Sequence, residues 1–307
     1  MATVWLNGIF VDESTASLSI RDTGLLHAAG VFTTMRAYDG AVFRLDRHLL
    51  RLRESCQAFS IPLAYSDEKL AYVIGELLRA NELINARLRF TVTGGTTADD
   101  PVHGIRLNPN CFITAAALQE YPRELYEHGM TVALLDAQKL NPFDIQAGYK
   151  TLNYFSRMSA LRWARQAGAG EALWFNIYNY LQSGSISNVF IVKDGRLMTP
   201  PTQGEINADA DLREKLPYAR SNVLPGITRG AILELARAHD LPIELASINV
   251  EQLLDADEIF LSNSIMNVMP VARVERSIVG NDGPGPITMQ LGEALEQMEH
   301  NDSPPKN

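Results

Sequence analysis

Over the first 45 residues short apolar segments are broken by Asn7-Gly8 and Asp39-Gly40. Such dipeptides between apolar segments are the commonest short-range hairpin signal, because the tight turn needs positive φ at its central residues. This stretch is predicted as strands joined by tight turns. From about Asp46 the period lengthens: Leu45, Leu49, Leu52, Cys56 and Phe59 recur at helical spacing and form one apolar stripe. A second helix is predicted over 67–80, then strands at 88–93 and 111–116. The 94–109 stretch between them reads as a loop.

The pattern breaks at Glu120-Tyr121-Pro122, where a domain boundary is placed. Beyond it a strand is predicted at 131–135, a loop at Asn141-Pro142, and a helix following Lys150. Phe155, Met158, Leu161 and Ala164 supply that helix with apolar residues every third position, and Gly168 and Gly170 end it. Strands follow at 171–177 and 188–193, with a hairpin at Asp194-Gly195. Residues 202–220 are polar and aperiodic, and read as a loop or insertion. A helix begins after Pro225-Gly226 and a strand covers 258–262. Strands and helices mixed in both halves predict two α/β or α+β domains, 1–120 and 121–297, with a disordered tail at 298–307.

A chain of 307 residues buries roughly three quarters of the surface its unfolded form exposes, so no disulfide or metal is needed for stability. The two cysteines, Cys56 and Cys111, form no CxxC pair, which argues against a zinc site or a disulfide framework. A net charge of -9 offers no basic field to gather phosphates, so neither a nucleic acid nor an anionic membrane is expected as partner. The N-terminus has no basic start and no long apolar stretch, so no signal peptide is expected. No apolar run is long enough for a bilayer, and a cytoplasmic setting is the default.

Four features could carry chemistry. Lys150 is one of only six lysines against 21 arginines, and its neighbours Ala147-Gly148-Tyr149 and Thr151-Leu152-Asn153 are uncharged. A lysine in such surroundings loses solvation in its charged form and becomes nucleophilic, able to form a Schiff base with an aldehyde cofactor; the plain alternative is a surface lysine at a helix start. Leu224-Pro225-Gly226-Ile227-Thr228-Arg229 turns sharply into a helix, whose first amides and dipole make an anion site; an ordinary turn reads the same way. In His48-Leu49-Leu50-Arg51-Leu52, Arg51 is flanked by core positions, and its planar fork suits phosphate, unless it only snorkels. Ser262-Asn263-Ser264 closes a predicted strand, where small hydroxyl residues line sites or simply make turns.

Taken together these blocks resemble the class IV aminotransferases, the fold-type IV pyridoxal-phosphate enzymes that include branched-chain aminotransferases, D-amino-acid aminotransferases and aminodeoxychorismate lyases. The matching stretches are DTGLLHAAGVFTTMRAYDG (22–40), HLLRL (48–52), KTLNY (150–154), AGAGEALWF (167–175), SGSISNVFIV (183–192), VLPGITR (223–229) and LSNSIMNVMPV (261–271), in family order. The resemblance implies a two-domain fold with mixed sheets and flanking helices, pyridoxal 5'-phosphate as cofactor, and an amino acid and a 2-oxo acid as substrates. It implies Lys150 as the Schiff-base lysine and proton shuttle, and Tyr154 as partner of the cofactor's phenolic oxygen. Arg51, the amides of Ile227 and Thr228, and the Ser264 hydroxyl would hold the phosphate, and Leu224 would pack on the pyridine face. Phe32, Arg36 and Arg89 match positions near the substrate pocket, although both arginines also have a structural reading as strand residues. Family members are usually homodimers, and that is implied here.

The chain departs from the family at two places. Ser183 stands where a glutamate is expected to face the ring nitrogen of the cofactor. A carboxylate there keeps the ring protonated and the electron sink strong; a hydroxyl does not. A slower transaminase, a shift toward elimination, or a binding protein without turnover are the implied alternatives, and Glu205 or Glu214 could in principle substitute. Thr33-Thr34 replaces the acidic residue that usually follows this phenylalanine in branched-chain aminotransferases, and resembles the lyase branch, which yields 4-aminobenzoate and pyruvate.

Overall fold

In the computed structural model, which describes residues 2–100, 104–216 and 220–302, the chain divides into two compact units. One comprises Met1–Gln119, Lys150–Asn153 and the stretch from Glu299; the other comprises Glu120–Tyr149 and Tyr154–Met298.

The first unit contains β1 (Thr3–Leu6), β2 (Ile9–Asp12), α1 (Thr23–His27), β3 (Gly30–Tyr38), β4 (Ala41–Val42), α2 (Leu45–Ala58), α3 (Asp67–Ala80), β5 (Ala86–Asp100) and β6 (Gly104–Ala117). Its strands form one sheet in the order β2-β1-β6-β5-β3-β4, antiparallel throughout. Both predicted hairpin turns form: φ is 49° and 103° at Asn7 and Gly8, and 47° and 81° at Asp39 and Gly40. The predicted stripe of α2 is the buried one, with Leu49, Leu52 and Cys56 in the core. The α3 helix starts on Ser66, whose hydroxyl accepts from the Lys69 amide. On β3, Val31, Met35 and Ala37 face that core, so Phe32, Thr34 and Arg36 alternate onto the opposite face.

Two expectations for this unit need correction. The 94–109 stretch is no loop: β5 and β6 continue pairing out to Asp100 and Gly104. Gly95 makes this possible. It sits at a register shift with φ of 65°, and a Cβ there would lie 1.6 Å from the Asn108 carbonyl oxygen. The arm is polar and held by backbone pairing, so it lacks the apolar alternation that marks a strand. The short α1 was not expected either. It has no buried residue and depends on Asp22, which accepts from the Gly24 amide, the Thr93 hydroxyl and the Asn110 amide group.

The second unit contains α4 (Arg123–His128), β7 (Met130–Leu140), α5 (Phe155–Gln166), β8 (Glu171–Asn176), β9 (Leu181–Gly184), β10 (Asn188–Lys193), β11 (Arg196–Thr199), α6 (Gln203–Ala208), α7 (Ala210–Lys215), α8 (Ile227–Ala238), β12 (Ile243–Leu245), α9 (Val250–Leu254), β13 (Glu258–Asn263), β14 (Asn267–Val274), β15 (Ser277–Ile278) and α10 (Pro286–Asn301) up to Met298. Its mixed sheet runs β12-β11-β10-β13-β14-β7-β8-β9, with β15 on β14. The pairs β11/β12, β14/β7 and β7/β8 are parallel. The core gathers Val132, Leu173, Val189, Ile259, Leu261 and Met269 on this sheet.

Here too the structure differs from expectation in places. Lys150 does not start a helix; α5 begins at Phe155. Of the apolar residues spaced by three, Phe155 and Met158 are 78% and 43% exposed, and the buried face is Ala160, Leu161 and Ala164. An apolar period says which residues share a face, not whether that face is covered. Residues 203–215 form α6 and α7 rather than a loop, and Thr202 and Glu205 cap α6 reciprocally. The chain remains helical to Asn301, past the expected start of the tail; residues 303–307 lie outside the described residues. Among the described residues no helix is long and apolar enough to cross a membrane.

Candidate active site

In the first unit the segment Lys150–Asn153 lies along the start of β3. Thr151 bridges Val31 in antiparallel fashion, the Phe32 amide donates to the Lys150 carbonyl at 3.0 Å, and the Leu152 amide to that of Gly30 at 2.9 Å. Gly30 allows this approach, since a Cβ there would meet Leu152 Cδ1 at 2.7 Å. This bridged segment puts half-buried Lys150 with its Nζ 4.8 Å from the centroid of the Phe32 ring. The Arg89 guanidinium stacks on that ring at 3.5 Å, and Arg89 is the register partner of Thr34. Arg36 lies 4.2 Å over the Tyr38 ring on the same strand face. This face of the sheet is cationic and aromatic, which suits a carboxylate-bearing substrate.

Thr33 points the other way, toward α2. Arg51 Nη2 donates to its hydroxyl at 3.1 Å, and that oxygen lies 2.8 Å from His48 Nδ1. With Arg51 donating, the Thr33 proton goes to Nδ1, which makes His48 the acceptor and places its own proton on Nε2. Burial holds the His48 pKa well below its ordinary value, and the charges of Arg51 and Lys150 push the same way. A neutral imidazole thus fixes a hydroxyl that in turn orients the arginine expected to hold phosphate.

In the second unit Tyr154 immediately precedes α5 and Ser183 lies on β9. The turn after Ser183 is built around Glu171, which is 1% exposed and accepts from the amides of Ala172, Ser185 and Ile186 and from the Ser187 hydroxyl, at 2.9 to 3.2 Å. Burial raises the Glu171 pKa against the lowering effect of these four donors. Gly184 is required there, because a Cβ would lie 2.1 Å from Ser187 Oγ. From the other side Arg157 Nη1 donates to Ser183 Oγ at 3.2 Å and to the carbonyls of Gly184 and Ser185 at 3.0 and 3.3 Å.

The α8 helix begins on Gly226 with no side chain capping it, leaving the first amides, those of Ile227 and Thr228, to an outside acceptor. Asn188 supports this start. Its Nδ2 donates to the Leu224 carbonyl at 3.0 Å, and its Oδ1 would lie 2.0 Å from a Cβ on residue 226. Ser262, the register partner of Asn188, carries a fully buried hydroxyl without a protein partner. Ser264 follows in the turn that Asn263 holds by accepting from the amides of Ile265 and Met266.

Phe32, Arg51, Arg89 and Lys150 of the first unit therefore cluster on and around β3, with Arg36 further along it. Tyr154, Ser183, Leu224, Ile227, Thr228 and Ser264 all belong to the second unit. Neither glutamate suggested as a stand-in for the carboxylate expected at 183 is available for it. Glu205 holds Arg229 at 2.8 and 2.9 Å, which draws its pKa down although burial opposes this, and Glu214 is exposed on α7. The sequence marks Thr33 only as a departure from the family pattern and assigns no role to His48, Arg157, Glu171 or Asn188. Of the latter only Glu171 left a signal, as a charged residue opening an otherwise apolar strand.

In the second unit an uncapped helix start, backed by a glycine that admits no side chain, fits a phosphate, and in the first a lysine held on an aromatic ring fits an aldehyde. The class these features define is that of the pyridoxal-phosphate enzymes. The chain belongs to the class IV aminotransferases, whose family profile, Amino-transferase class IV, matches residues 30–209 and 211–274. It is 31% identical over 297 residues to a "Putative branched-chain-amino-acid aminotransferase" of Methanocaldococcus jannaschii, covering 96% of each chain. It is 28% identical to a D-alanine aminotransferase of Staphylococcus haemolyticus, over 97% of this chain and 98% of that one. The structure matches that of the Escherichia coli branched-chain amino acid aminotransferase with a TM-score of 0.87 at 27% identity, covering 99% and 97% of the two chains.

Proposed function

We propose that the protein is a cytoplasmic, homodimeric aminotransferase that moves an amino group between an amino acid, branched-chain-like or of D configuration, and a 2-oxo acid, with pyridoxal 5'-phosphate on Lys150. The observation that carries the reading is the setting of Lys150. Lys69 and Lys215 are exposed, whereas half-buried Lys150 lies on the segment bridged to β3, with its Nζ 4.8 Å from the Phe32 ring. The cofactor supplies an aldehyde to capture the amine and a ring to delocalise the electrons left when a bond at Cα breaks. Arg51, the amides of Ile227 and Thr228, and the Ser264 hydroxyl are the proposed phosphate ligands, and the hydroxyl of Tyr154 the partner of the phenolic oxygen. Lys150 Nζ carries the substrate's Cα proton, and Arg36 and Arg89 bind its carboxylate.

The test is product analysis with purified protein and pyridoxal 5'-phosphate. Given glutamate and a panel of 2-oxo acids, the proposal predicts 2-oxoglutarate and the matching amino acid, and chiral analysis of that product settles the hand. Release of 4-aminobenzoate and pyruvate from aminodeoxychorismate, with no amine transfer, would replace this reading with the lyase.

A further inference from the structure

Ser183 stands where the family pattern expects a carboxylate, and in the structure a cation is aimed at it. Arg157, in the first turn of α5, directs Nη1 to Ser183 Oγ at 3.2 Å and to the Gly184 and Ser185 carbonyls at 3.0 and 3.3 Å. Its guanidinium lies 5.6 Å from the Trp174 ring and 6.0 Å from that of Tyr154, and the Trp174 indole donates to Ser185 Oγ at 2.9 Å. We propose that Arg157 and Ser183 form a binding site for an unprotonated aromatic nitrogen, so that the pyridine ring of the cofactor stays neutral in this protein. The proposal rests on the preceding reading, in which the chain holds pyridoxal 5'-phosphate with position 183 at the ring nitrogen.

The direction of the hydrogen bonds carries the argument. An arginine side chain only donates and cannot be deprotonated in a protein. The Ser183 hydroxyl therefore accepts from Arg157 and keeps its single proton to give. Being 5% exposed, it has little water to give it to. A donor backed by a positive charge is matched by a lone pair, which a neutral pyridine nitrogen offers and a pyridinium lacks. The pyridinium would also place like charge beside the guanidinium. A neighbouring charge moves a titrating group by about 1–3 pK units, downward here where the family's carboxylate would move it upward. The carboxylate facing this turn is Glu171, and its oxygens are taken up by the amides of Ala172, Ser185 and Ile186 and the Ser187 hydroxyl. A neutral ring delocalises charge less, which favours steps that need little carbanion character.

Arg157 acts through Ser183 and is a positioning residue, so the test reads the nitrogen itself. The full-length protein is reconstituted with pyridoxal 5'-phosphate carrying ¹⁵N in the ring, and the nitrogen chemical shift is followed with pH. The expected result is a neutral nitrogen at pH 7. In Arg157→Gln and in Ser183→Glu its pKa should rise by about 1–3 units, and in Arg157→Lys it should stay low. A protonated nitrogen in the native protein overturns the proposal, as does a native value that both variants leave unchanged, the result a purely structural clamp would give. Should Arg157→Gln not fold, the native protein and Ser183→Glu still decide. Failure to take up the cofactor, or its attachment away from Lys150, is a different result: it overturns the functional reading and this proposal with it.

Discussion

Thr33→Val separates the hydroxyl of Thr33 from its bulk. Valine fills nearly the same space, so packing is retained while the link between His48 and Arg51 is cut. Thr33 is fully buried and His48 is 1% exposed, so Nδ1 of His48 would lose its donor where water cannot replace it. Leaving a buried acceptor unsatisfied costs roughly 1–3 kcal/mol. Arg51 is half-buried, and its freed N–H can turn to water at little cost in stability. It would no longer be held in place for the phosphate, and a loss of about 1.4 kcal/mol in binding would be roughly tenfold in affinity. Thr33→Ser is the control, because it keeps the hydroxyl and loses one methyl, about 0.8 kcal/mol. Denaturant unfolding of the two variants, followed by titration with pyridoxal 5'-phosphate, reads both effects. The reasoning predicts that valine is the less stable and weaker-binding variant and that serine binds like the native protein. Equal stability and equal affinity for valine and native protein would refute it.

Four further outcomes follow from the same geometry. His48 is held neutral in the fold with a lowered pKa, so below its ordinary value of 6.5 the unfolded chain takes up a proton that the native state refuses. Stability should therefore fall as pH drops from that value toward the folded pKa, by at most about 1.4 kcal/mol per pH unit, and a His48→Gln variant should show a flatter slope over that window. Glu171→Gln replaces one acceptor oxygen with a donor facing the amide of Ile186 or Ser185, and should lower unfolding stability by about 1–3 kcal/mol; an unchanged midpoint would mean the carboxylate is not organising that turn. Gly226→Ala drives a Cβ to 2.0 Å from Asn188 Oδ1 and should weaken cofactor binding at α8 more than it weakens the fold, measured as cofactor Kd against Tm. Gly95→Ala, with its Cβ 1.6 Å from the Asn108 carbonyl, should increase amide exchange along the distal β5/β6 arm while leaving the Lys150 segment protected.

Much of the fold was legible because the signals are local. The Asn-Gly and Asp-Gly turns follow from the φ each turn requires, and α3 follows from its apolar period and the serine that caps it. Failures came where the deciding contact is distant or polar. Lys150 was placed at a helix start because its pairing with β3, more than a hundred residues earlier, leaves no mark in its own neighbourhood. The β5/β6 arm rests on backbone bonds that its polar side chains do not announce. The α6 helix, by contrast, did announce itself: Thr202 followed three residues later by Glu205 is a capping box, hidden only by the polarity around it.

The site divides in the same way. Arg51 stood out between the core positions Leu49 and Leu52, yet its hydroxyl partner Thr33 lies 18 positions away and took its meaning from the strand face it occupies. Ser183 was visible as a departure from the family pattern. What replaces the missing carboxylate was not visible, since Arg157 sits in an unremarkable helical turn and two of its three acceptors are backbone carbonyls, which every sequence has.

The central claim is that Lys150 holds pyridoxal 5'-phosphate. The most direct measurement is to reconstitute the protein with the cofactor, reduce it with borohydride, and locate the added mass by peptide mass spectrometry. The account predicts a single phosphopyridoxyl group on Lys150 and no visible absorbance band in Lys150→Ala. No adduct, or an adduct on another lysine while Lys150 stays unmodified, would contradict it.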